Sequence, residues 1–193
     1  MIIVVAVALI VYPFFPAIKY YLSPTETEQE IIPGESEANS VGYIVNEEPE
    51  DVASGSLNNN ITQNLLIIPK IGVKIPIVEG ATEAALNKGA WRLPETSTPD
   101  KGSNTVLTGH RWRYRPPSEK TFYLLDKLEI GDSFRIFWQG KEYNYKIISK
   151  IVVLPTDVWV LNGTEKSIVT LITCTPLFST EKRLVVKGEL EYN

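Results

Sequence analysis

The segment SIVTLITCTPLFSTEKRLVV, residues 167–186, carries the strongest fold signal in the chain. Its apolar, β-branched run through Cys174 predicts a strand, and Pro176 ends that strand because proline cannot donate to a β ladder. Arg183 opens a second apolar run, so we expect two neighbouring strands joined by a loop over residues 175–182. If these strands are antiparallel, Cys174 and Arg183 lie at the same end of the sheet.

Short apolar runs of the same kind occur through the rest of the C-terminal two thirds. Residues 104–109 predict a strand that ends just before His110, and residues 133–154 predict a hairpin turning at Gln139–Gly140. Prolines interrupt the runs within 64–79, which favours edge or bulged strands there. Short helices are predicted over residues 82–89 and 122–128. Seven or eight short strands with few helices indicate a compact β-barrel or sandwich.

The composition excludes several classes of site. The chain has 193 residues, a net charge of −4, and only one cysteine and one histidine. It therefore cannot form an intrachain disulfide or a Cys/His zinc cluster, and its scattered acids form no calcium-ligand loop. No basic cluster is dense enough to indicate nucleic-acid binding. We predict no metal and no cofactor.

The N-terminal third differs from the rest in charge. Residues 1–18 are uncharged and apolar, which favours a membrane anchor over residues 1–22. A signal peptide is less favoured because no basic residues precede the run, and a buried core helix because an acidic segment follows it. Residues 23–60 predict a flexible acidic linker, and residues 61–193 the folded domain. The absence of Lys and Arg from residues 20–69 favours a non-cytoplasmic side, so we expect a single-pass membrane protein with an extracytoplasmic domain.

Cys174, His110 and Arg183 together suggest acyl-transfer chemistry. Cys174 ends its strand, His110 follows one and Arg183 opens one. They converge at one rim if the strand over 104–109 runs parallel to the Cys174 strand. A thiolate is a nucleophile, an imidazole shuttles protons, and a guanidinium offers donors to an oxyanion. The alternative is that each residue is unremarkable alone: a buried inert thiol, a turn histidine and a solvated arginine.

At these residues the sequence resembles the sortase family of cysteine transpeptidases. The resemblance rests on TLITC (170–174), NTVLTGHR (104–111) and KRLVVKGEL (182–190), and it covers about residues 62–193. It implies a closed eight-stranded β-barrel with short helices, in which Cys174 is the nucleophile, His110 the general acid/base and Arg183 the oxyanion and substrate arginine.

The resemblance also implies the substrates. The enzyme would cleave an LPXTG-like or LAXTG-like sorting signal of a surface protein between Thr and Gly through a Cys thioacyl intermediate. The acyl group would pass to an amine of a peptidoglycan precursor or, in the alternative of a pilin-polymerising enzyme, to a lysine. Thr173 is a candidate substrate contact because it precedes the nucleophile.

The subclass is open. Tyr114, four residues after His110, is similar to class E sortases, and the short loop between Cys174 and Arg183 is similar to classes D and E. The segment RPPSEKTFY, residues 115–123, departs from the class E pattern. We keep Tyr114 as a candidate substrate contact, whereas the arginines around Trp112 are interpreted as part of a solvated loop.

Four other interpretations compete with this one. RLPETST, residues 92–98, contains an LPXT sequence, but Ser97 replaces the glycine and no hydrophobic segment follows, so self-processing is not expected. An L,D-transpeptidase would have a histidine beside its cysteine, and a papain-like enzyme would have the histidine downstream. A membrane-tethered β-barrel binding module with an inert thiol is the non-enzymatic alternative.

Overall fold

Eight strands form a closed barrel with the neighbour order β1-β2-β3-β4-β7-β8-β6-β5. The structure, a computed structural model, describes residues 63–113 and 118–192. The strands are β1 (Leu65–Ile68), β2 (Val73–Val78), β3 (Ala90–Arg92), β4 (Asn104–Thr108), β5 (Ser133–Trp138), β6 (Lys141–Val153), β7 (Ile168–Thr175) and β8 (Lys182–Leu190). The predicted anchor (1–22), the predicted linker (23–60) and Tyr114 lie outside the described residues. The expected mainly-β, eight-stranded barrel is confirmed.

The β5–β6 hairpin turns where the sequence predicts it. Gln139 and Gly140 have φ values of 49° and 79°, which is the left-handed pair that a two-residue hairpin requires. The prediction of edge strands near the prolines is wrong, because β1 pairs with β5 and closes the barrel. Pro76 is tolerated inside β2 since the pairing with β3 begins one residue later, at Ile77.

The barrel interior is the main hydrophobic core. Every strand contributes to it, as illustrated by the fully buried Leu66 of β1, Leu107 of β4 and Leu171 of β7. Outward-facing residues of β4, β6, β7 and β8 form a second, smaller cluster together with one residue of the segment Val158–Leu161. Its members are Val106, Val153, Val160, Ile172 and Val185. The central strands are thus covered on both faces, which explains why they read as continuous apolar runs.

The helical segments are 3₁₀ helices: η1 (Pro69–Ile71), η2 (Glu83–Asn87), η3 (Leu125–Lys127) and η4 (Val158–Leu161). The predicted helix at 82–89 is η2, and the one at 122–128 shortens to η3. The three-residue spacing of Phe122, Leu125 and Leu128 suits a 3₁₀ helix, in which residues i and i+3 eclipse. Within the described residues, no helix has the length and apolar character needed to cross a membrane.

Candidate active site

The pairing of three strands brings Cys174, His110 and Arg183 to one end of the sheet. β4 runs parallel to β7, with Thr108 opposite Ile172, so His110 and Cys174 both follow the last paired residues. β8 runs antiparallel to β7, and Cys174 is the direct cross-strand partner of Arg183. The expected convergence is confirmed, and the loop between the strands is residues 176–181, shorter than the predicted 175–182.

A cleft of about 290 Å³ lies on the outer face of the sheet at this end. Cys174 has the same strand parity as the outward-facing Ile172, so its side chain lies on the face that carries the cleft. The connection between β6 and β7, which contains η4, forms the opposite wall. The cleft is lined by Glu83, Leu86, Trp91, Leu93, Thr108, Gly109, His110, Val153, Leu154, Pro155, Asp157, Val158, Val160, Leu161, Ile172, Thr173, Cys174 and Arg183. Its walls are mostly apolar, and the three reactive side chains lie together among them.

The imidazole of His110 contacts the side chain of Asn87, at the end of η2. Its Nε2 lies 3.0 Å from Asn87 Oδ1, and Arg113 Nη1 also donates to that oxygen. His110 Nε2 also lies 3.4 Å from Arg113 Nη1. Because an amide oxygen only accepts and a guanidinium only donates, these two contacts of Nε2 correspond to opposite tautomers of the neutral ring. The pKa of His110 is lowered, chiefly by burial and then by the charge of Arg113, while Glu83 opposes the change. A neutral imidazole can accept a proton at neutral pH.

The other predicted site residues differ in how they are held. Cys174 is half-buried and unpaired. Arg183 Nη1 donates to the backbone carbonyls of Thr180 and Lys182, at 2.8 and 3.1 Å, which fixes the guanidinium relative to the 176–181 loop. Thr173 lines the cleft, but its Oγ1 donates to the carbonyl of Gly109 at 2.8 Å and its side chain is buried. The hydroxyl of Thr173 therefore ties the nucleophile strand to the His110 segment.

Three contacts around the site were not predicted from the sequence. Arg111 was expected in a solvated loop, and this is wrong: it is buried and ion-paired with Asp126. Asn87 gives no sequence signal beyond its place at the end of a short helix. The rings of Trp112 and Phe178 meet edge-to-face with centroids 6.2 Å apart, which joins the His110 segment to the loop after Cys174. Only the last pair has a hint in sequence, since both aromatics lie near predicted site residues.

The LPET sequence within the chain forms a closed turn. Thr96 donates through both its amide and Oγ1 to the carbonyl of Leu93, and Arg92 Nη1 donates to the carbonyl of Thr96 at 2.8 Å. Arg92 is also ion-paired with Glu79. These contacts hold the segment in a turn, and the expectation that it is not processed stays a prediction.

The site contains carboxylates but no group suited to a metal. Glu83 and Asp157 both line the cleft, and in residues 63–113 and 118–192 no group of three His, Cys, Asp or Glu side chains could hold a metal ion. The reactive groups present are a thiol, an imidazole and a guanidinium. Such an arrangement can perform nucleophilic attack on a carbonyl with proton transfer.

Comparison with known proteins agrees with this geometry. The family model described as "Sortase domain" matches residues 66–191. The chain is 35% identical over 142 residues to Sortase SrtE1 of Streptomyces coelicolor, covering 65% of this chain and 39% of that protein. It is 28% identical to Sortase A of Bacillus anthracis, covering 97% of this chain and 90% of that protein.

A solved structure of sortase C from Clostridium perfringens, with the C-terminal cell wall sorting motif, superposes with a TM-score of 0.60 at 33% identity. The superposition covers 67% of this chain and 70% of that one. The family model, both relatives and the barrel topology agree. The chain belongs to the sortase family.

Proposed function

We propose that this protein is a transpeptidase that cleaves an LPXTG-like or LAXTG-like sorting signal between Thr and Gly and transfers the new carboxyl end to an amine. The observation that carries the proposal is the convergence of Cys174, His110 and Arg183 in one cleft. The apolar walls suit the leucine of such a signal. The C. perfringens relative, whose structure includes a cell wall sorting motif, supports a substrate of this kind.

The proposed reaction has two halves. His110 takes the thiol proton as the Cys174 sulfur attacks the threonine carbonyl carbon, and the oxyanion that forms accepts hydrogen bonds from the Arg183 guanidinium. The C–N bond then breaks, and His110 gives a proton to the departing glycine amine. In the second half an incoming amine attacks the thioester and its proton passes to His110. Cys174 leaves as the thiolate and takes that proton back from His110, which restores the thiol and the neutral ring.

The acceptor is proposed to be an amine of a peptidoglycan precursor, with a pilin lysine as the alternative. Residues 1–22 would hold the enzyme in the cell membrane with the catalytic domain outside. Labelling Cys174 in intact cells with a membrane-impermeant maleimide tests this location. Labelling only after lysis would contradict it.

Mass spectrometry of the intact protein tests the chemistry. Incubation with LPXTG and LAXTG peptides should add the mass of the acyl fragment ending in threonine, and an added amine should discharge it. Cys174→Ala should form no adduct while keeping the far-ultraviolet spectrum and melting temperature of the parent. Thr175→Ala, one residue further along the same strand, is the matched control and should still form the adduct.

The amines used for discharge separate the alternatives. Faster discharge by a glycine α-amine than by a lysine ε-amine supports the peptidoglycan acceptor, and the reverse order supports pilin assembly. A folded parent protein that gives no adduct with any peptide, and whose Cys174 reacts slowly with small thiol reagents, would instead indicate a binding module.

A further inference from the structure

The side chain of Arg111 connects three parts of the molecule behind the cleft. Its Nε donates to the carbonyl of Tyr123 at 2.8 Å, Nη1 to the carbonyl of Cys174 at 3.3 Å, and Nη2 to Asp126 Oδ1 at 2.7 Å. Arg111 directly follows His110 in the chain. One guanidinium thus joins the His110 segment, the end of the nucleophile strand and the segment that leads into η3.

Burial makes these contacts specific. The Arg111 side chain is 1% exposed and that of Asp126 is 25% exposed. A buried cation is costly unless its donors are satisfied, and an apolar side chain could fill such a site without that cost. The planar fork of arginine meets three acceptors at fixed angles, which the single ammonium of lysine cannot do.

The three contacts of the Arg111 guanidinium, called the Arg111 clamp below, lie where the β4–β7 ladder ends, and this position indicates their role. The last paired residues of β4 and β7 are Thr108 and Ile172, so regular pairing stops before both His110 and Cys174. Beyond that point, Gly109 N donates to the carbonyl of Ile172, and Thr173 Oγ1 donates back to the carbonyl of Gly109. The bond from Arg111 to the carbonyl of Cys174 is the next connection and reaches the nucleophile residue itself.

We infer that Arg111 is a positioning residue that holds the Cys174 end of β7 against the His110 segment. It does not line the cleft, so it acts on the reacting groups without touching the substrate. Loss of the Arg111 clamp would increase the distance between the Cys174 thiol and the His110 imidazole. A displacement of about 1 Å in a reacting pair costs about 10²-fold in rate. Substrate affinity depends on the cleft walls and is retained.

The first test is independent of turnover and measures the rate of Cys174 alkylation by iodoacetamide at pH 7. The proteins are the parent, Arg111→Lys, His110→Ala and the double variant. We expect each single substitution to slow alkylation about tenfold, and the double variant to be no slower than either single one by more than about threefold, because both remove the same thiol–imidazole pairing. The inference would be overturned if the double variant slowed alkylation by the product of the two single effects. It would also be overturned if the alkylation rate of Arg111→Lys stayed within about threefold of the parent.

Arg92→Lys is the matched control. Arg92 is likewise ion-paired with a glutamate and bonded to backbone carbonyls, but it has no contact with Cys174 or His110 among its hydrogen bonds. It should lower the melting temperature and leave the alkylation rate unchanged. An equal slowing in Arg92→Lys would show a general packing effect and refute the positioning role.

The second test uses the sorting-peptide reaction and so rests on the proposed function. Arg111→Lys should lower kcat about 10²-fold with KM within about threefold of the parent. A rise in KM that accounts for the whole loss would refute the positioning role. A parent protein without turnover refutes the transpeptidase proposal alone, since the alkylation cycle still decides the role of Arg111.

If Arg111→Lys does not fold, Asp126→Asn replaces it in both tests. This change weakens the Nη2 bond and keeps the other two guanidinium contacts, so a smaller loss in the same direction is expected. Asp126→Asn should cause no further slowing of Cys174 alkylation in the His110→Ala background. Further slowing in that background counts against the inference.

Discussion

His110 is the one histidine of the chain, and two neighbouring charges shift its pKa in opposite directions. Burial and the Arg113 guanidinium lower the pKa, whereas the Glu83 carboxylate raises it. The lowered pKa keeps the ring neutral at neutral pH. For the proposed reaction this means that the ring is ready to accept a proton from the attacking group before it donates one to the leaving amine.

The two charges give a paired prediction. Arg113→Gln removes the positive neighbour and should raise the pKa of His110, while Glu83→Gln removes the negative neighbour and should lower it. The single imidazole gives one set of ring resonances, so a proton NMR titration reads the pKa directly. Shifts of the same sign in both variants would contradict the electrostatic explanation, since only a general loosening of the site would act alike in both.

At this scale the sequence predicts reactive residues better than supporting ones. Cys174 and Arg183 could be assigned to one rim because proline and strand period mark where their strands end. Arg111 could not, because an arginine among other arginines reads as solvated, and its burial depends on acceptors 12 to 63 positions away. Asn87 is similar, since its contact with His110 spans 23 positions.

At the scale of elements, the β4–β7 pair carries the site, and its last bonds come from side chains. The expected convergence depends on parallel pairing of β4 and β7, which the register shows. The bond from Thr173 Oγ1 to the carbonyl of Gly109 extends this pairing toward Cys174. Gly109 is required there because a Cβ would lie 2.8 Å from the buried ring of Phe122.

Thr173 provides a prediction with a close control. Thr173→Val keeps the shape but leaves the buried Gly109 carbonyl without this donor, so we expect a loss of about 1–3 kcal/mol in the free energy of unfolding. Thr173→Ser keeps the hydroxyl and should lose less than about 1 kcal/mol, the value of one methyl group. Urea unfolding followed by tryptophan fluorescence measures both. A serine variant less stable than the valine variant would show that packing rather than the hydrogen bond matters here.

The elements that the sequence misjudges are those that depend on closure of the sheet. Pro69, which follows β1, and Pro76 in β2 predict edge strands locally. Pairing between β1 and β5, some 70 residues apart, removes the edge. Similarly, the helical spacing at 122–128 is satisfied by the short η3, because Phe122, Leu125 and Leu128 pack into the inner core. Local patterns identify which residues are buried, whereas long-range pairing determines the geometry in which they are buried.

At the scale of the whole molecule, the barrel has two hydrophobic clusters with different tasks. The inner one holds the eight strands together, and the outer one fastens the β6–β7 connection over the cleft through Val160 of η4. Val160 is buried in the outer cluster and also lines the cleft. The free energy of unfolding should therefore depend mainly on the inner cluster, and substrate binding on the outer one.

Val160→Ala should loosen the cleft wall, raise KM for a sorting peptide about fivefold and leave kcat within about twofold. Its cost in stability should be about 1–2 kcal/mol, as for removing part of a buried aliphatic side chain. Leu66→Ala, in the inner cluster on the strand next to β5, should cost about 3 kcal/mol and leave KM of the folded protein unchanged. Michaelis kinetics with urea unfolding of both variants measure the difference. If Leu66→Ala raised KM as much as Val160→Ala, the two clusters would be one cooperative core, because damage to the barrel interior would then reach the cleft wall.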